Sequence, residues 1–531
     1  MKRTNFKTTR LFLLGALALG TVVSCTDLEV EQQDSVNDEQ FNGVADPANF
    51  VNGIYGNLNG LIGDQANLFA LAEVTTDEFL VPTRGSDWGD NGIWRQLHQH
   101  NWQNDHAFIT NTWNQWNQTQ FAATQVLSDL TSTTADVRAE AHFLRALGYW
   151  VILDNFGQVP VRDPQESLLV DPPVIRGEEA VNAIVADLEA AIADLPATAG
   201  GSNRATKAAA RLLLAKVLLN KHVYLGTSAD GADMNRVVTL VDQIAAGGYS
   251  LQDGFFDIFK EGADSETIWW IPTGVGNRIW NGLHYNNSPE IAGGGWNGFS
   301  TLAEFYDLFE GDENNNELGS GQEERRGFVP TEGLPFGDVP GGSDNNDDGF
   351  ADGSNVGNGF LIGQQYDYDG TPLTDRGGNP LTFKRDFTDG DGNQSLINND
   401  ETTGIRVIKY NPRFGGFTNH EVFFRYADAH LMKAEAIMRS GGDATTLVNE
   451  LRVLRGATPI GAVTAQDLID ERGRELYEEF WRRGDLIRFG QYTKNWSFKD
   501  ATAVGNNDKN LFPIPASQII LNPNLTQNPG Y

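Results

Sequence analysis

LIDERGRELYEEFWRRGDLIRFG, residues 468–490, is the segment that says most about the architecture of this 531-residue chain. Thr464 precedes it, and Asp467 follows three residues later, which is the spacing of a helix capping box. We therefore expect one helix over residues 465–490. Its charged residues recur every three or four positions, as ion pairs on a helix surface do. We interpret the following as structural ion pairs and a solvated face, not as catalytic groups: Glu471, Arg474, Glu475, Glu478, Arg482 and Asp485.

Three other segments have the composition and the end signals of helices. Residues 137–157 crowd apolar side chains around a helix that stops at Gly157. Residues 204–220 have an Ala/Leu interior with Thr206 as N-cap, and residues 423–442 end in two glycines. Short connections between such segments indicate helix pairs. The predicted fold class is mainly α: a helix-pair scaffold with a long loop-rich, ligand-bearing region and few short strands.

The N-terminal segment has the pattern of a secretory signal. A basic start precedes the apolar residues 11–23, which are too few to span a bilayer as a helix. The residues up to Cys25, the one cysteine of the chain, resemble the lipobox of bacterial lipoproteins. We expect residues 1–24 to be a cleaved signal peptide and Cys25 to be lipidated. The alternatives are an ordinary cleaved signal or a buried core thiol.

Composition divides the rest of the chain. Residues 25–45 are polar and acidic, which predicts a flexible tether, and residues 46–531 form a single predicted body. Within that body, residues 274–404 are crowded with Gly, Asn and Asp and carry scattered aromatic residues, which predicts a loop-rich functional region. Residues 405–531 supply C-terminal helices and a docked tail. The net charge of −32 disfavours nucleic acid as a partner.

Five blocks of this sequence resemble the SusD/RagB family of outer-membrane lipoproteins of Bacteroidetes. They include RATKAAARLLLAKVLL, YADAHLMKAEA and the residues 468–490 quoted above, and they follow one another along the whole chain. The resemblance implies a TPR-like helix-pair scaffold and glycan binding without catalysis. It also implies a SusC-type TonB-dependent transporter as partner. The expected location is the cell surface, on the outer membrane, through a lipid anchor.

Two segments combine aromatic rings with groups that hydrogen-bond to sugar hydroxyls. Residues 75–105 and residues 278–299 both have this mixture, and the glycines before Trp296 suit a loop that presents its ring to solvent. The resemblance implies a ligand role for Asp77, Arg84 and Trp102 in the first segment. The predicted glycan-binding residues are Asp77, Arg84, Trp88, Trp94, Trp102, Trp280, Tyr285 and Trp296. For each tryptophan, core packing is the alternative.

A calcium signal lies in the loop-rich region. Oxygen-bearing residues alternate and a glycine follows, as at the start of an EF-hand loop, but the twelfth position is Asn355 instead of glutamate. We predict a loop that binds structural Ca²⁺ through Asp344, Asn346, Asp348 and Asp352. A solvated Asp/Gly-rich turn is the alternative.

No catalytic motif stands out. The chain has no G-x-S-x-G elbow, no H-E-x-x-H pair and no P-loop, and we expect neither an enzyme nor an organic cofactor. The predicted function is capture of an oligosaccharide or polysaccharide for delivery to the transporter, with a neutral β-glucan such as laminarin favoured by the acidic charge. A glycoside hydrolase with a carboxylate pair and a helix-repeat adhesin remain the alternatives.

Overall fold

The computed structural model describes residues 41–167, 169–197, 200–260, 262–272, 275–287, 294–329, 357–366, 371–410 and 420–531. The longer helices are α1 (Pro47–Gly63), α2 (Ile93–Gln99), α3 (Ala107–Leu127), α4 (Ala135–Phe156), α5 (Gly177–Asp194), α6 (Lys207–Leu225), α7 (Gly231–Ala246), α8 (Gly276–Gly282), α9 (Tyr426–Arg439), α10 (Thr445–Leu454), α11 (Ala465–Leu476) and α12 (Arg482–Arg488). Shorter helical turns lie at Asn67–Phe69, Asp90–Gly92, Phe255–Phe259, Ala303–Tyr306, Glu324–Arg326, Asn507–Asn510 and Ala516–Leu521, and a π-helical turn lies at Ala70–Val74.

The strands are short and pair antiparallel. They are β1 (Gln158–Pro160), β2 (Val174–Arg176), β3 (Thr267–Ile271), β4 (Gly327–Phe328), β5 (Asn358–Leu361), β6 (Gly363–Gln364), β7 (Thr382–Phe383), β8 (Arg406–Ile408) and β9 (Glu421–Arg425). β1 pairs with β2, β3 with β9 and β6 with β7, while β4, β5 and β8 form a three-stranded sheet with β5 in the centre. The β3–β9 pair joins the middle of the chain to its C-terminal part.

The helices stack in sequence. α3, α4, α5, α6 and α7 each pack against the next, and α9 packs against α7. Gly157 ends α4 in a left-handed conformation, and the Thr206 hydroxyl accepts the N–H of Ala209 at the start of α6, as the sequence predicted. The predicted fold class is therefore confirmed: the chain is mainly helical with a few short antiparallel strands. Among the described residues, no helix has the length and apolar character to cross a bilayer.

The prediction of a single helix over residues 465–490 is wrong. Thr464 and Asp467 do form the capping box that opens α11, but the helix stops and α12 follows after a break. The prediction for residues 423–442 also needs correction, because the segment begins as the end of β9. Phe423 and Phe424 favour a strand, and pairing with β3 overrides the helical pattern that follows.

The break between α11 and α12 is a buried, strained turn. Glu478 and Phe480 have φ angles of 64° and 74°, in the left-handed region that residues other than glycine rarely adopt. The ring of Phe480 packs edge-on against Phe69, with 5.3 Å between ring centroids. Core packing of this kind offsets the cost of the backbone conformation.

The charged residues of this segment are buried, which corrects the predicted solvated face. Glu475 in α11 is fully buried and contacts three guanidinium groups, at 2.8 Å from Arg425, 3.0 Å from Arg455 and 3.3 Å from Arg325. Arg425 and Arg455 also bind Glu266, at 2.8 and 2.7 Å. One carboxylate thereby connects α11 to β9, to the end of α10 and to the 3₁₀ turn that precedes β4. Ion pairs are confirmed for Glu471, Arg474, Glu475, Arg482 and Asp485, whereas Glu478 accepts the backbone N–H of Lys409 instead.

Two other buried glutamates lie close to each other and, unlike Glu475, have raised pKa values. Glu73, in the π-helical turn, and Glu78 are both almost fully buried. Burial raises the pKa of Glu73, and burial together with the charge of Glu73 raises the pKa of Glu78. One oxygen of Glu78 accepts the N–H of Glu478 at 2.5 Å, so this pair supports the strained turn. These carboxyl groups keep protons at pH values where exposed carboxyls are ionised.

Replacing Glu475 with glutamine should strongly destabilise the protein. The substitution keeps the shape but leaves buried guanidinium groups with too little negative charge, which costs about 3–5 kcal/mol in comparable buried pairs. Urea unfolding followed by circular dichroism measures the effect. The matched control is Glu189→Gln, which removes the exposed pair with Arg236 and should cost less than about 1 kcal/mol. Equal stabilities for the two variants would contradict the central role of Glu475.

Candidate functional site

Two segments that the sequence marked for ligand binding meet at one surface. The indole N–H of Trp88 donates to the carbonyl oxygen of Trp296 at 2.7 Å, and the Trp296 N–H donates to the carbonyl of Trp280 at 2.5 Å. The hydroxyl of Tyr285 donates to Asp87 at 2.5 Å. Trp296 is 41% exposed, and the other three rings are half-buried. We call this set the aromatic surface: Trp88, Trp280, Tyr285 and Trp296.

Glycines bring the Trp296 loop close to the chain that follows α8. A Cβ atom on Gly294 would lie 1.9 Å from the carbonyl oxygen of Tyr285, and one on Gly295 would lie 2.0 Å from that of Leu283. Gly294 also has a φ of 67°, which only glycine adopts freely. Both positions therefore require glycine, and the loop they form presents the ring of Trp296 to solvent.

Arg84, which we predicted to contact ligand, is instead buried beneath this surface. Its guanidinium group donates to the carbonyl oxygens of Asn297, Asp400 and Thr403 at 2.8–2.9 Å, and to the hydroxyls of Ser300 and Thr403. Burial lowers its pKa to about 10. No donor is left pointing outward for a sugar, so Arg84 positions the loops that carry the surface.

Arg406 supports the same loops from β8. Its guanidinium donates to Asn297 Oδ1 at 2.9 and 2.7 Å and to the Ser300 hydroxyl at 3.0 Å. Burial, together with the nearby charge of Arg84, lowers its pKa well below the usual value. Two buried arginines held by carbonyls, hydroxyls and amides form a rigid base under the loop of Trp296.

An exposed ion network lies beside the aromatic surface. The guanidinium carbon of Arg376 lies 3.8 Å above the ring centroid of Tyr285, and the group binds Asp87 at 3.1 Å and also Glu401. The hydroxyl of Tyr285 and the charge of Arg376 lower the pKa of Asp87. Burial and the neighbouring Asp87 raise the pKa of Tyr285. The network therefore places the side chains of Asp87, Glu401, Arg376 and Tyr285 together beside the aromatic surface.

The sequence reasoning missed this network. Asp87 lies next to Trp88 within the first predicted segment, and that proximity is the one available signal. Arg376 is 289 positions away from Asp87 along the chain, and no motif links the two residues. Their proximity exists only in the fold.

Two of the predicted ligand rings are buried and need correction, and a predicted ligand carboxylate forms an ion pair. Trp102 is fully buried and its indole N–H donates to the Tyr531 hydroxyl at 2.7 Å. Trp94 is 4% exposed and packs in the core. Both oxygens of Asp77 accept from Arg482, at 2.7 and 2.6 Å. The rings of Trp102 and Trp94 have no face open to a sugar, whereas the carboxylate of Asp77 is partly exposed and its ligand role stays a prediction.

Two predictions fall outside the described residues. These are lipidation of Cys25 and calcium binding by Asp344, Asn346, Asp348 and Asp352, and both stay predictions. Within the described ranges, no group of three or more His, Cys, Asp and Glu side chains is arranged to hold a metal ion.

The chain matches known family models over most of its length. The model of the SusD family matches residues 265–531, and a second model, described as starch-binding and associating with the outer membrane, matches residues 29–219. The chain is 32% identical over 428 residues to the starch-binding protein SusD of Bacteroides thetaiotaomicron, covering 74% of this chain and 72% of that protein.

Solved structures agree in fold. A SusD-like protein from Bacteroides fragilis superposes with a TM-score of 0.67 at 19% identity, over 93% of this chain and 98% of that one. A laminarin-binding SusD-like protein superposes with a TM-score of 0.61 at 18% identity, over 92% of this chain and 100% of that one. At these identities the likeness establishes the architecture alone.

The placement of the tryptophans predicts contrasting effects on stability. Trp102→Ala should cost about 3–5 kcal/mol, because it leaves a large cavity in a packed core. Trp296→Ala should cost less than about 1 kcal/mol, because that ring is partly in solvent. Denaturant unfolding of both variants, with wild type as reference, measures the difference. A large loss of stability in Trp296→Ala would place this ring in the core.

Proposed function

This chain belongs to the SusD/RagB family, and from that premise we propose that it captures a neutral glycan on the aromatic surface and passes it to a transporter. Proteins of the SusD family bind glycans at the outer-membrane surface and are non-catalytic. The exposed ring of Trp296 carries the proposal. It is the large aromatic side chain that is most open to solvent at the place where the two predicted ligand segments meet.

Stacking on this ring would supply most of the binding energy. A sugar ring that covers Trp296 removes roughly 100 Å² of apolar surface from water, which at about 25 cal/mol/Å² amounts to about 2.5 kcal/mol before costs. The neighbouring Trp88 and Tyr285 would extend the contact to a second sugar. The base formed by Arg84 and Arg406 holds the loops before ligand arrives, which reduces the ordering cost of binding.

The polar rim favours an uncharged glycan. Asp87 and Glu401 would accept hydrogen bonds from sugar hydroxyls, and Arg376 is already paired with both. An anionic polysaccharide would meet these carboxylates and a chain of net charge −32. We therefore infer a neutral β-glucan. Laminarin is the first candidate, because one structural neighbour is a laminarin-binding protein.

The membrane and transporter contacts belong to the same proposal. Cys25 is the proposed lipid attachment point, and residues 25–45 the tether that leads to the body. We propose a SusC-type TonB-dependent transporter as the partner that accepts the glycan. Family membership supports this partner, and a release step suits the weak binding that a few stacked rings provide.

Trp296→Ala should lower the affinity for laminarin oligosaccharides tenfold or more, because stacking on that ring would be lost. Isothermal titration calorimetry on the purified body measures the change, after circular dichroism confirms folding. The matched control is Val453→Ala, which shortens an exposed apolar side chain on α10. High salt should have little effect, since stacking is not screened as ion pairs are. Unchanged affinity in the folded Trp296 variant would remove the site from this surface.

Cys25→Ser should leave the protein unanchored. Cys25 is the one cysteine of the chain, so no other thiol can take the lipid of a bacterial lipoprotein. Without attached acyl chains, the body has no lipid anchor to hold it at the bilayer. Palmitate labelling and membrane fractionation of the expressed variant provide the measurement. Continued labelling and sedimentation with membranes would show that the anchor lies elsewhere.

A further inference from the structure

Apart from the aromatic surface, the structure has a cavity where three helices meet the C-terminal tail. It measures about 300 Å³, and its walls come from α4, α6 and α12 and from Asn507, Asp508, Asn510, Leu511 and Pro529. Behind it lies a smaller cavity of about 40 Å³, which shares Asp154, Asn220 and Gly484 with the outer one. In the part of the chain that the structure describes, its lining includes no residue of the aromatic surface. Its size is at the lower end of ligand pockets and suits one or two sugar rings.

Gly484 lines both the outer and the inner cavity. It lies within α12, where its backbone is helical and needs no left-handed conformation. A Cβ atom at this position would meet nothing within 4 Å. Glycine inside a helix is less stable than alanine, so neither the backbone nor close packing accounts for it. The missing side chain leaves space between the outer and inner cavities.

The floor of the cavity presents fixed hydrogen-bonding groups. The Tyr224 hydroxyl accepts the indole N–H of Trp150 at 3.1 Å and donates to Asp154 Oδ1 at 2.9 Å. Arg483 donates to Asp154 Oδ2 at 3.2 Å from the other side. Two carboxylate oxygens have about four acceptor sites. Asp154 is therefore held in one orientation with acceptor capacity left for a ligand hydroxyl.

Charge and composition narrow the ligand class. The outer cavity is lined by the carboxylates of Asp154 and Asp508 and by three side-chain amides, and among the described residues no lysine or arginine lines it. An anion would meet the carboxylates of Asp154 and Asp508 and no cationic side chain among the described residues that line the outer cavity, because Arg483 binds Asp154 from outside that lining. Hydroxyl groups can donate to the carboxylates and exchange hydrogen bonds with the amides, while the ring of Tyr224 and the side chain of Leu511 provide apolar contact.

We propose that this cavity is a second ligand site, which binds a small neutral polyhydroxylated molecule of one or two sugar rings independently of the aromatic surface. The proposal goes beyond the capture of a long glycan described above. A polymer stacks along an exposed face, whereas this cavity takes a short molecule or a chain end.

Saturation-transfer NMR tests the site with glucose, galactose, mannose and xylose at millimolar concentration, and with glucuronate as the anionic probe. Wild type and Trp296→Ala should both transfer saturation to at least one neutral sugar and none to glucuronate. Gly484→Leu should weaken that binding tenfold or more, because its side chain enters the space. Gly484→Ala is the matched control: it should raise the melting temperature through helix propensity and weaken binding less.

A second variant keeps the test valid if Gly484→Leu does not fold. Asp508→Ala removes an exposed carboxylate from the mouth of the cavity and should weaken the neutral sugar severalfold. Binding of none of the four sugars to wild type would overturn the proposal. So would loss of their signal in Trp296→Ala, or full signal in both folded cavity variants. Laminarin titration of the same variants reports separately on the aromatic surface.

Discussion

The contact of Glu475 with three buried guanidinium groups is the constraint on which the C-terminal half of the structure depends. Removing these charges from water is costly, and only close pairing with hydrogen bonds recovers that cost. The geometry meets this requirement, because Arg425 and Arg455 are shared between Glu475 and Glu266. An incorrect packing of β9 or α10 would leave a charge unpaired in the core. The network therefore favours one arrangement of these elements over others.

Buried arginines also hold the chain together under the aromatic surface, but there their partners are neutral groups. Arg84 and Arg406 are satisfied by carbonyls, hydroxyls and amides rather than by carboxylates. The loops they fix are irregular and would have little order of their own, since they lack long strands or helices. The scaffold and the binding surface thus differ in secondary structure, but in both a buried arginine binds parts of the chain that are distant in sequence. Rigid loops then leave binding energy for the ligand.

The helical scaffold could be predicted from the sequence because the signals that start and end a helix lie within a few residues of its ends. Thr464 with Asp467, Thr206 and Gly157 all act at helix ends as their residue types predict. Burial of Glu475 was not predictable in the same way. Helical spacing shows which charges are neighbours on one helix. Arg325, a partner of Glu475, lies 150 positions away along the chain.

The candidate site was predicted in part for a related reason. Composition marked two segments rich in aromatic and polar residues, and the fold brings them together at Trp88 and Trp296. Composition alone does not distinguish surface rings from core rings within one segment, so Trp102 was assigned to the surface. Whether a ring is exposed depends on what the rest of the chain places over it, here Tyr531 at the far terminus.

The two kinds of buried carboxyl group give the fold a limited pH range. Burial alone would raise the pKa of Glu471, but Arg325, Arg474 and Arg452 lower it to about 2. Its stabilising effect is therefore present above the ordinary carboxyl pKa of 4.5 and is lost as the pH falls toward 2. Glu73 and Glu78 have raised pKa values, so their contribution is lost as the pH climbs above 4.5. Folding thus binds protons at Glu73 and Glu78 and releases a proton from Glu471, so acid and alkali each weaken a different part of the buried core.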